Sequence, residues 1–130
     1  MLLVRSVICV LCAVGFYASV FMLRKGIRAA RGELAEPSVV QTPRAKLFAG
    51  VPNALIGIIY YPALAAVSWS APPGALRYAG LAAAALAALT SLFLAYSLLF
   101  VTKRSCSYCW TAHLANWALL AAYSWLLVLT

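Results

Sequence analysis

The chain has 130 residues, of which 66% are hydrophobic and only 9% are charged, and its mean hydropathy is +0.97. Water-soluble globular domains carry about 25% charged residues, so this composition excludes such a domain and indicates an integral membrane protein. A helix that crosses the bilayer needs about 20 mostly apolar residues, which leaves room for four or five spans. The net charge is +8, and six of the ten basic residues fall between Arg24 and Lys46. Such a cluster bears on topology and on contact with anionic membrane lipid, and we expect no nucleic-acid partner.

The first predicted span is residues 1–23, an apolar run interrupted only by Arg5, whose long side chain can reach the interface from near a helix end. A cleaved signal peptide is the competing interpretation. Its basic residues should precede the apolar segment, whereas here the cluster that begins at Arg24 follows a run that is already too long. We therefore expect a retained span, followed by the only sizeable polar loop.

Three more apolar runs follow this loop, at residues 47–69, 76–101 and 106–130. Prolines in the second run are tolerable because neighbouring helices can satisfy the carbonyl groups that they free. The segment from Ser70 to Gly74, with two prolines before a glycine, predicts a tight turn. The alanine-rich half of the third run offers small side chains for close helix packing. The expected fold class is all-α: one domain over residues 1–130, an integral membrane four-helix bundle with both termini on one side.

Candidate chemistry concentrates at Cys106 and Cys109, a C-x-x-C pair at the start of the fourth run. The amide groups of a helix N-terminus and the neighbouring Lys103 and Arg104 both favour the thiolate, which is the reactive form of cysteine. The alternative is a pair of buried cysteines that only pack. Placement at a helix start favours a redox-active dithiol.

A second C-x-x-C pair, Cys9 and Cys12, has the opposite environment. Measured from Leu23, these residues lie about 21 and 17 Å deep at ~1.5 Å per residue, so they cannot readily exchange with Cys106. Burial in hydrocarbon disfavours the thiolate and removes its nucleophilicity. We expect Cys9 and Cys12 to serve packing.

Two polar side chains are expected near the depth of the dithiol. Asn53 and His113 lie well inside the second and fourth runs, each about 10 Å deep, and His113 shares the helix face of Cys109. Polar side chains within a membrane indicate a functional site, although an amide or imidazole that bridges two helices is the structural alternative. Several aromatic residues suit the walls of a site for a planar hydrophobic ligand and equally suit the interfacial belt: Phe16, Tyr17, Phe48, Tyr96, Phe100 and Trp110.

A different function class would use the same residues. Cys106, Cys109 and His113 form a C-x2-C-x3-H pattern capable of holding zinc or copper(I) on one helical surface. No fourth ligand is apparent near them in the sequence, and zinc favours closed tetrahedral sites. We therefore predict no metal site and keep a metal-binding membrane module as the alternative.

The order of these motifs resembles the vitamin K epoxide reductase family and its bacterial and archaeal homologues. The resemblance rests on Ala45 to Phe48, Val51 to Asn53, Gly57, Tyr60-Tyr61 and, opening the last helix, Cys106-Ser107-Tyr108-Cys109. It covers nearly the whole chain. Neither the segment around Asn53 nor the C-x-x-C pair is specific to this family by itself. Their order along the chain, together with the four spans, is specific.

The resemblance implies a membrane oxidoreductase that generates disulfides, passing two electrons from a thioredoxin-like partner through the C-x-x-C pair to a membrane quinone of the menaquinone or ubiquinone type. It implies that Cys109 contacts the quinone and that Cys106 exchanges disulfides, and it places at Asn53 an asparagine that hydrogen-bonds a quinone oxygen. The quinone-binding residues predicted from position and resemblance together are Asn53, His113, Phe48, Tyr96, Phe100, Trp110 and Tyr17.

The sequence departs from the family pattern at two places. Family members usually carry a further cysteine pair in the first loop, one of them followed by serine, but here Pro37 stands before Ser38 and the loop contains no cysteine. Either a partner's thiols meet Cys106 directly, or this chain has lost or outsourced the relay. His113 stands where the vertebrate enzymes have a tyrosine, so activity on vitamin K epoxide itself does not follow from the resemblance.

Charge and resemblance predict opposite orientations. The face that bears the first loop and the third turn carries eight basic residues, against Arg5 and Arg77 on the other face. By the positive-inside rule the eight belong in the cytoplasm, which would place Cys106 and Cys109 there. Most of the family would place this site on the periplasmic or luminal side, where disulfides accumulate. We predict a multi-pass cell-membrane protein of inverted orientation, which makes chemical sense chiefly in hyperthermophiles with disulfide-rich intracellular proteins.

Overall fold

A computed structural model describes residues 2–32, 53–70, 74–102 and 107–129 of the chain, and four helices make up nearly all of this part. Each of the four is long and apolar enough to cross a membrane, so the predicted all-α four-helix membrane bundle is confirmed. The third helix continues into a π-helical segment, Ser97–Thr102. The helices are α1 (Leu2–Ala30), α2 (Asn53–Ser70), α3 (Gly74–Tyr96) and α4 (Ser107–Leu129).

The end of α1 differs from the prediction, because the helix continues to Ala30 instead of stopping near residue 23. Its 29 residues correspond to about 44 Å, whereas the hydrocarbon core is about 30 Å thick, so its last turns project beyond the core. Gly32 follows with a φ of 72°, the left-handed conformation that glycine adopts without strain at helix ends. Hydropathy marks where an apolar surface ends, whereas arginine and lysine are good helix formers that carry the backbone further.

The other helix ends lie close to their predicted positions wherever the structure describes them. The second span was predicted to start at residue 47, but residues 47–52 lie outside the described part. In the described part α2 begins at Asn53. The third helix starts at Gly74, two residues before the predicted start, and loses α-helical geometry after Tyr96. Pro62 lies within α2, as a membrane helix with close neighbours permits.

Helices α1 and α2 approach closely because glycines face larger side chains at two levels. A methyl group added at Gly15 would overlap the ring of Tyr61, and one added at Gly57 would overlap the side chain of Ser19. From the first pair to the second, the residue number rises along α1, from 15 to 19, and falls along α2, from 61 to 57. The two helices are therefore antiparallel. Small residues at such crossings let membrane helices gain van der Waals contact, which replaces the hydrophobic driving force that lipid removes.

Small residues of α3 provide the same kind of contact with α4. Gly80, Ala84 and Ala88 are buried, and the ring of Tyr123 covers Gly80. The hydroxyl of Tyr123 donates to the carbonyl of Arg77 at 3.0 Å, and Trp117 Nε1 donates to the carbonyl of Ala88 at 3.1 Å. The predicted packing role of the alanine-rich half of the third run is confirmed.

A chain of hydrogen bonds crosses the middle of the bundle and ties three helices together. The hydroxyl of Tyr61 on α2 donates to Asn116 Oδ1 on α4 at 2.7 Å. Asn116 Nδ2 in turn donates to Ser91 Oγ on α3 at 2.6 Å. Such bonds contribute about 0.6–2 kcal/mol each between membrane helices, and because they are directional they set the register of the helices.

Candidate functional site

Cys109 is the third residue of α4, so it lies in the first turn of the helix, where backbone amide groups have no helical carbonyl partners. It takes part in a disulfide. Cys9 and Cys12 both carry thiols outside any disulfide. Cys106, the other member of the predicted pair, lies outside the described residues. The one cysteine that the structure describes at a helix start is therefore the oxidised one.

His113 lies one turn beyond Cys109 on the same face of α4. Its side chain is only 5% exposed, and neither ring nitrogen has a hydrogen-bond partner among the described residues. The rings nearest to it belong to Trp110, edge-on at 6.0 Å between centroids, and Trp117, at 6.3 Å. A neutral imidazole carries one donor and one acceptor, and leaving both unsatisfied in an apolar interior is costly. This arrangement is typical of a side chain whose partner is a ligand or a water molecule.

The structure changes the expected relation between Asn53 and His113. Helices α2 and α4 run in the same direction, and the Tyr61–Asn116 hydrogen bond fixes their register. Counting back eight residues from each side of that bond places Asn53 beside Tyr108. Asn53 therefore lies about 7 Å nearer the end of the bundle than His113, instead of at equal depth. The prediction of equal depth differs from this register because it assumed that the second and fourth spans begin at the same level, whereas the Tyr61–Asn116 hydrogen bond sets a different offset.

The π-helical segment of α3 lies at the same level as Cys109. The Asn116–Ser91 hydrogen bond sets the antiparallel register of α3 and α4. Seven residues before Asn116 is Cys109, and seven residues after Ser91 falls inside the π-helical segment. Within it Ser97 is buried and donates to the carbonyl of Phe93 at 3.0 Å. Single π-helical turns often mark functional sites because they widen the backbone and redirect side chains.

The aromatic residues predicted to surround a ligand separate into two groups. Trp110 is half-buried beside His113. Tyr17, Tyr96 and Phe100 are 65%, 58% and 61% exposed, so their side chains lie largely on the outer surface of the bundle. Phe48 lies outside the described residues. Of the predicted aromatic residues that the structure describes, Trp110 is the one that lies beside the buried histidine.

Cys9 and Cys12 lie more than two helical turns deeper in the bundle than Tyr108. Phe21 stacks on Tyr108 with ring centroids 3.8 Å apart, which aligns residue 21 of α1 with the start of α4. Cys12 is then about 13 Å deeper, and it is buried in the core with Tyr61 and Leu64. Cys9 Sγ accepts a hydrogen bond from Trp69 Nε1 near the far end of α2. Both thiols therefore have packing roles in the structure.

Replacing Cys9 and Cys12 together by alanine should leave thiol oxidation almost unchanged. The distance to Cys109 separates them from the electron path that the resemblance implies, although the loss of packing around Cys12 should lower the thermal unfolding temperature slightly. The measurement is the rate of oxidation of a reduced thioredoxin-like protein by purified protein in lipid. A double variant that folds and yet loses turnover would make the deep pair part of the path.

The metal-binding alternative needs three ligands, of which the structure describes Cys109 and His113. Within the described ranges, no group of three or more histidine, cysteine or acidic side chains could hold a metal ion. The sulfur of Cys109 is committed to a disulfide, whereas zinc and copper(I) need a thiolate. The observed state of Cys109 favours redox chemistry.

Sequence reasoning missed the polar groups that continue the face of Cys109 deeper into the bundle. Asn116 follows His113 by three residues and so falls on the same face, and it bonds Tyr61 and Ser91 from neighbouring helices. Amides are rare inside membranes, so the position of Asn116 in an apolar run was an available signal. The π-helical geometry around Ser97 had no signal in the apolar sequence that surrounds it.

A comparison of the sequence with known protein families gives a match that extends over all four helices. The model of the vitamin K epoxide reductase family matches residues 6–124, nearly the whole chain. No curated protein gives a significant match. The matched range begins early in α1 and ends in the last turns of α4, so it includes both the disulfide-bonded Cys109 and the buried His113. On this match the chain belongs to the vitamin K epoxide reductase family and is a membrane thiol oxidoreductase.

Proposed function

We propose that this protein generates disulfides by passing electrons from a thioredoxin-like partner through Cys106 and Cys109 to a membrane quinone of the menaquinone or ubiquinone type. The observation that carries the proposal is the disulfide-bonded Cys109 one helical turn from His113, whose ring nitrogens are buried without a partner among the described residues. A thiol–quinone exchange needs an oxidisable sulfur next to a hydrogen-bonding group that can turn to the quinone, and these two residues provide both.

Cys106 is the proposed disulfide partner of Cys109. The chain has four cysteines, and Cys9 and Cys12 carry thiols. A spacing of two intervening residues at a helix start is the arrangement of redox-active dithiols. Cys106 precedes Cys109 along the chain, outside the first residue of α4 at Ser107, so we expect a soluble partner to reach Cys106 first.

The exchange with the partner then balances as a two-electron step. A partner thiolate attacks Cys106, which forms a mixed disulfide and releases Cys109 as a thiolate. The second partner thiol displaces Cys106, so the partner leaves oxidised and the pair is left as a dithiol. Because the first loop contains no cysteine, no relay within that loop stands between the partner and Cys106.

The residues around Cys109 fit a quinone. A quinone is a planar, apolar ring with two carbonyl acceptors, and it takes up the two electrons and two protons that reoxidation of the dithiol releases. His113 supplies a buried donor that has no partner among the described residues, and Trp110 supplies an aromatic surface beside it. Asn53, beside the first turn of α4, is the proposed second donor. Donors held in a site poor in water stabilise negative charge on a reacting oxygen strongly.

The proposal is tested by following both half-reactions in one preparation. The protein is reconstituted in vesicles with menaquinone or ubiquinone and given a reduced thioredoxin-like protein. We expect two partner thiols to disappear for each quinone reduced, and no thiol loss in vesicles without quinone. Thiol oxidation that proceeds equally without quinone would contradict the quinone link, and bound stoichiometric metal without quinone reduction would restore the metal-binding alternative.

We also propose that the Cys106–Cys109 end of the bundle faces the cytoplasm. The stub of α1 that projects beyond the hydrocarbon carries Arg24, Lys25 and Arg28, which supports the charge count. All the loops are short enough for the positive-inside rule to apply, and the bias is eight to two.

Labelling of introduced cysteines should establish this orientation. Gly32 and Gly74 are exposed near opposite ends of the bundle, and an added Cβ would meet no atom within 4 Å at either position. In a cysteine-free background on intact cells, a membrane-impermeant maleimide should label Gly74→Cys and should spare Gly32→Cys until the cells are opened. Labelling of position 32 alone would reverse the orientation and place the site outside.

A further inference from the structure

A cationic stripe, defined here as Arg24, Arg28 and Arg31, follows one side of the last turns of α1 and the residue just after it, whose amide still bonds the Ile27 carbonyl. Residues spaced by four and three share a helix face, and all three side chains are exposed. Because α1 exceeds the thickness of the hydrocarbon core, the stripe lies at the level of lipid headgroups. Lys25 is rotated about 100° from Arg24 and lies on a different side of the helix.

A groove of about 390 Å³ lies between α1 and α4 below the stripe. Much of this space is open because the alanine side chains that line it are small. The rings of Tyr17 and Tyr108, with centroids 6.3 Å apart, flank it. Tyr17 is 65% exposed, so the groove opens toward the lipid and away from the interior of the bundle. The groove is lined by Ala13, Val14, Tyr17, Ala18, Tyr108 and Thr111.

The groove and the cationic stripe lie on the same side of α1. Ala13 and Tyr17 precede Arg24 by eleven and seven residues, which are about three and two helical turns. At ~1.5 Å per residue, residues 13–18 lie about 9–16 Å below Arg24. One leaflet of the hydrocarbon core is about 15 Å deep. The groove therefore occupies the depth of the acyl chains whose headgroups would meet the stripe.

We propose that the cationic stripe and the groove together bind one anionic phospholipid, with its phosphate on the arginines and one acyl chain in the groove. Guanidinium groups bind phosphate oxygens in pairs of parallel hydrogen bonds, and a stripe of three provides more than one such pair. The chain has ten basic residues and only two acidic ones, so charge complementarity selects an anionic headgroup. Tyr108 lines the groove next to Cys109, so the bound lipid would seal the α1–α4 seam at the level of the disulfide.

Native mass spectrometry of the purified protein with lipids of identical acyl chains tests this site. We expect phosphatidylglycerol to bind more tightly than phosphatidylcholine. The double variant Arg24→Gln/Arg28→Gln should weaken phosphatidylglycerol binding by roughly tenfold or more, the size expected for two interfacial basic residues. The control Lys25→Gln/Arg77→Gln removes the same charge from other positions and should weaken binding far less.

A second pair of variants tests the groove. Ala13→Leu adds bulk at an exposed groove position and should weaken phosphatidylglycerol binding severalfold, whereas Ala66→Leu makes the same change at an exposed position of α2 and should not. Equal losses in the two charge variants, or no effect of Ala13→Leu, would mean diffuse attraction to the surface and would overturn the site. Displacement of phosphatidylglycerol by equimolar menaquinone would assign the groove to a quinone tail and overturn it as well. Glycerol 3-phosphate, a headgroup without chains, should not compete at millimolar concentration, and competition would refute the acyl-chain contact.

Discussion

Cys109→Ser should abolish quinone reduction and at the same time trap the thiol partner on the protein. Without Cys109, the Cys106 thiolate attacks a single-thiol partner supplied as its mixed disulfide with thionitrobenzoate, and thionitrobenzoate leaves. The covalent complex then accumulates, because no neighbouring thiol remains to displace the partner. Cys106→Ser should abolish turnover equally but form no such complex, because Cys109 lies inside the first turn of α4 and its side chain is half-buried. The two variants therefore share a loss of activity and differ in trapping.

The measurement is non-reducing gel electrophoresis followed by mass spectrometry of the linked peptide. The control is the Cys9→Ala/Cys12→Ala background, in which the only chain thiol of each variant belongs to the proposed pair. Equal trapping by both variants would refute the division of roles between Cys106 and Cys109. Residual turnover of Cys109→Ser above about one per cent of the original would refute the role of Cys109 itself, since removal of an essential nucleophile costs many orders of magnitude.

His113→Phe should lower quinone turnover by roughly 100-fold while leaving the protein at least as stable. Loss of one preorganised donor to a developing negative charge typically costs about 10²–10³ in rate. The imidazole is 5% exposed and its nitrogens have no partner among the described residues, and replacing such a buried polar group by an apolar ring of similar shape removes its desolvation cost. A fall in activity without a fall in stability distinguishes a ligand-binding role from a packing role.

The variant His113→Tyr gives the matched control because it differs from His113→Phe by one hydroxyl group. A phenol can donate to a quinone oxygen, so this variant should recover much of the turnover that the phenylalanine variant loses. Turnover and thermal unfolding are measured on all three proteins in the same lipid. If the tyrosine and phenylalanine variants have equal turnover, or if His113→Phe unfolds at a much lower temperature, the ring serves the bundle and not the quinone.

Composition and hydropathy alone determined the broad architecture. Apolar runs of this length cannot be accommodated in water, and the hydrocarbon leaves helices as the only spanning structure for such runs. The same reasoning placed the deep Cys9 and Cys12 away from the helix start that bears Cys109, because depth follows directly from residue count along a helix. The order of motifs along the chain was enough to identify the family, which the match over residues 6–124 confirms.

Relations between helices were decided by the tertiary structure. Sequence counting assumed that the second and fourth spans begin at the same level, but the Tyr61–Asn116 hydrogen bond sets a different offset and moves Asn53 toward Cys109. The side of a helix that faces lipid was equally hidden, because apolar side chains occur on every side of these helices. Tyr96 and Phe100 therefore looked like candidates for a pocket and prove to be exposed.

The physical reason is that a membrane removes the main signal that sequence patterns carry. In water, the difference between apolar and polar faces tells which side of a helix is buried, but lipid is as apolar as a protein interior. Helix partners are then chosen by close contact at residues such as Gly15, Gly57 and Gly80 and by a few directional hydrogen bonds. The number of spans and the axial positions of Cys9, Cys12 and Cys109 are properties of one helix at a time, and the sequence was enough to predict them. The register that joins His113, Asn116 and Ser91 to neighbouring helices depends on several helices at once, and only their packing decided it.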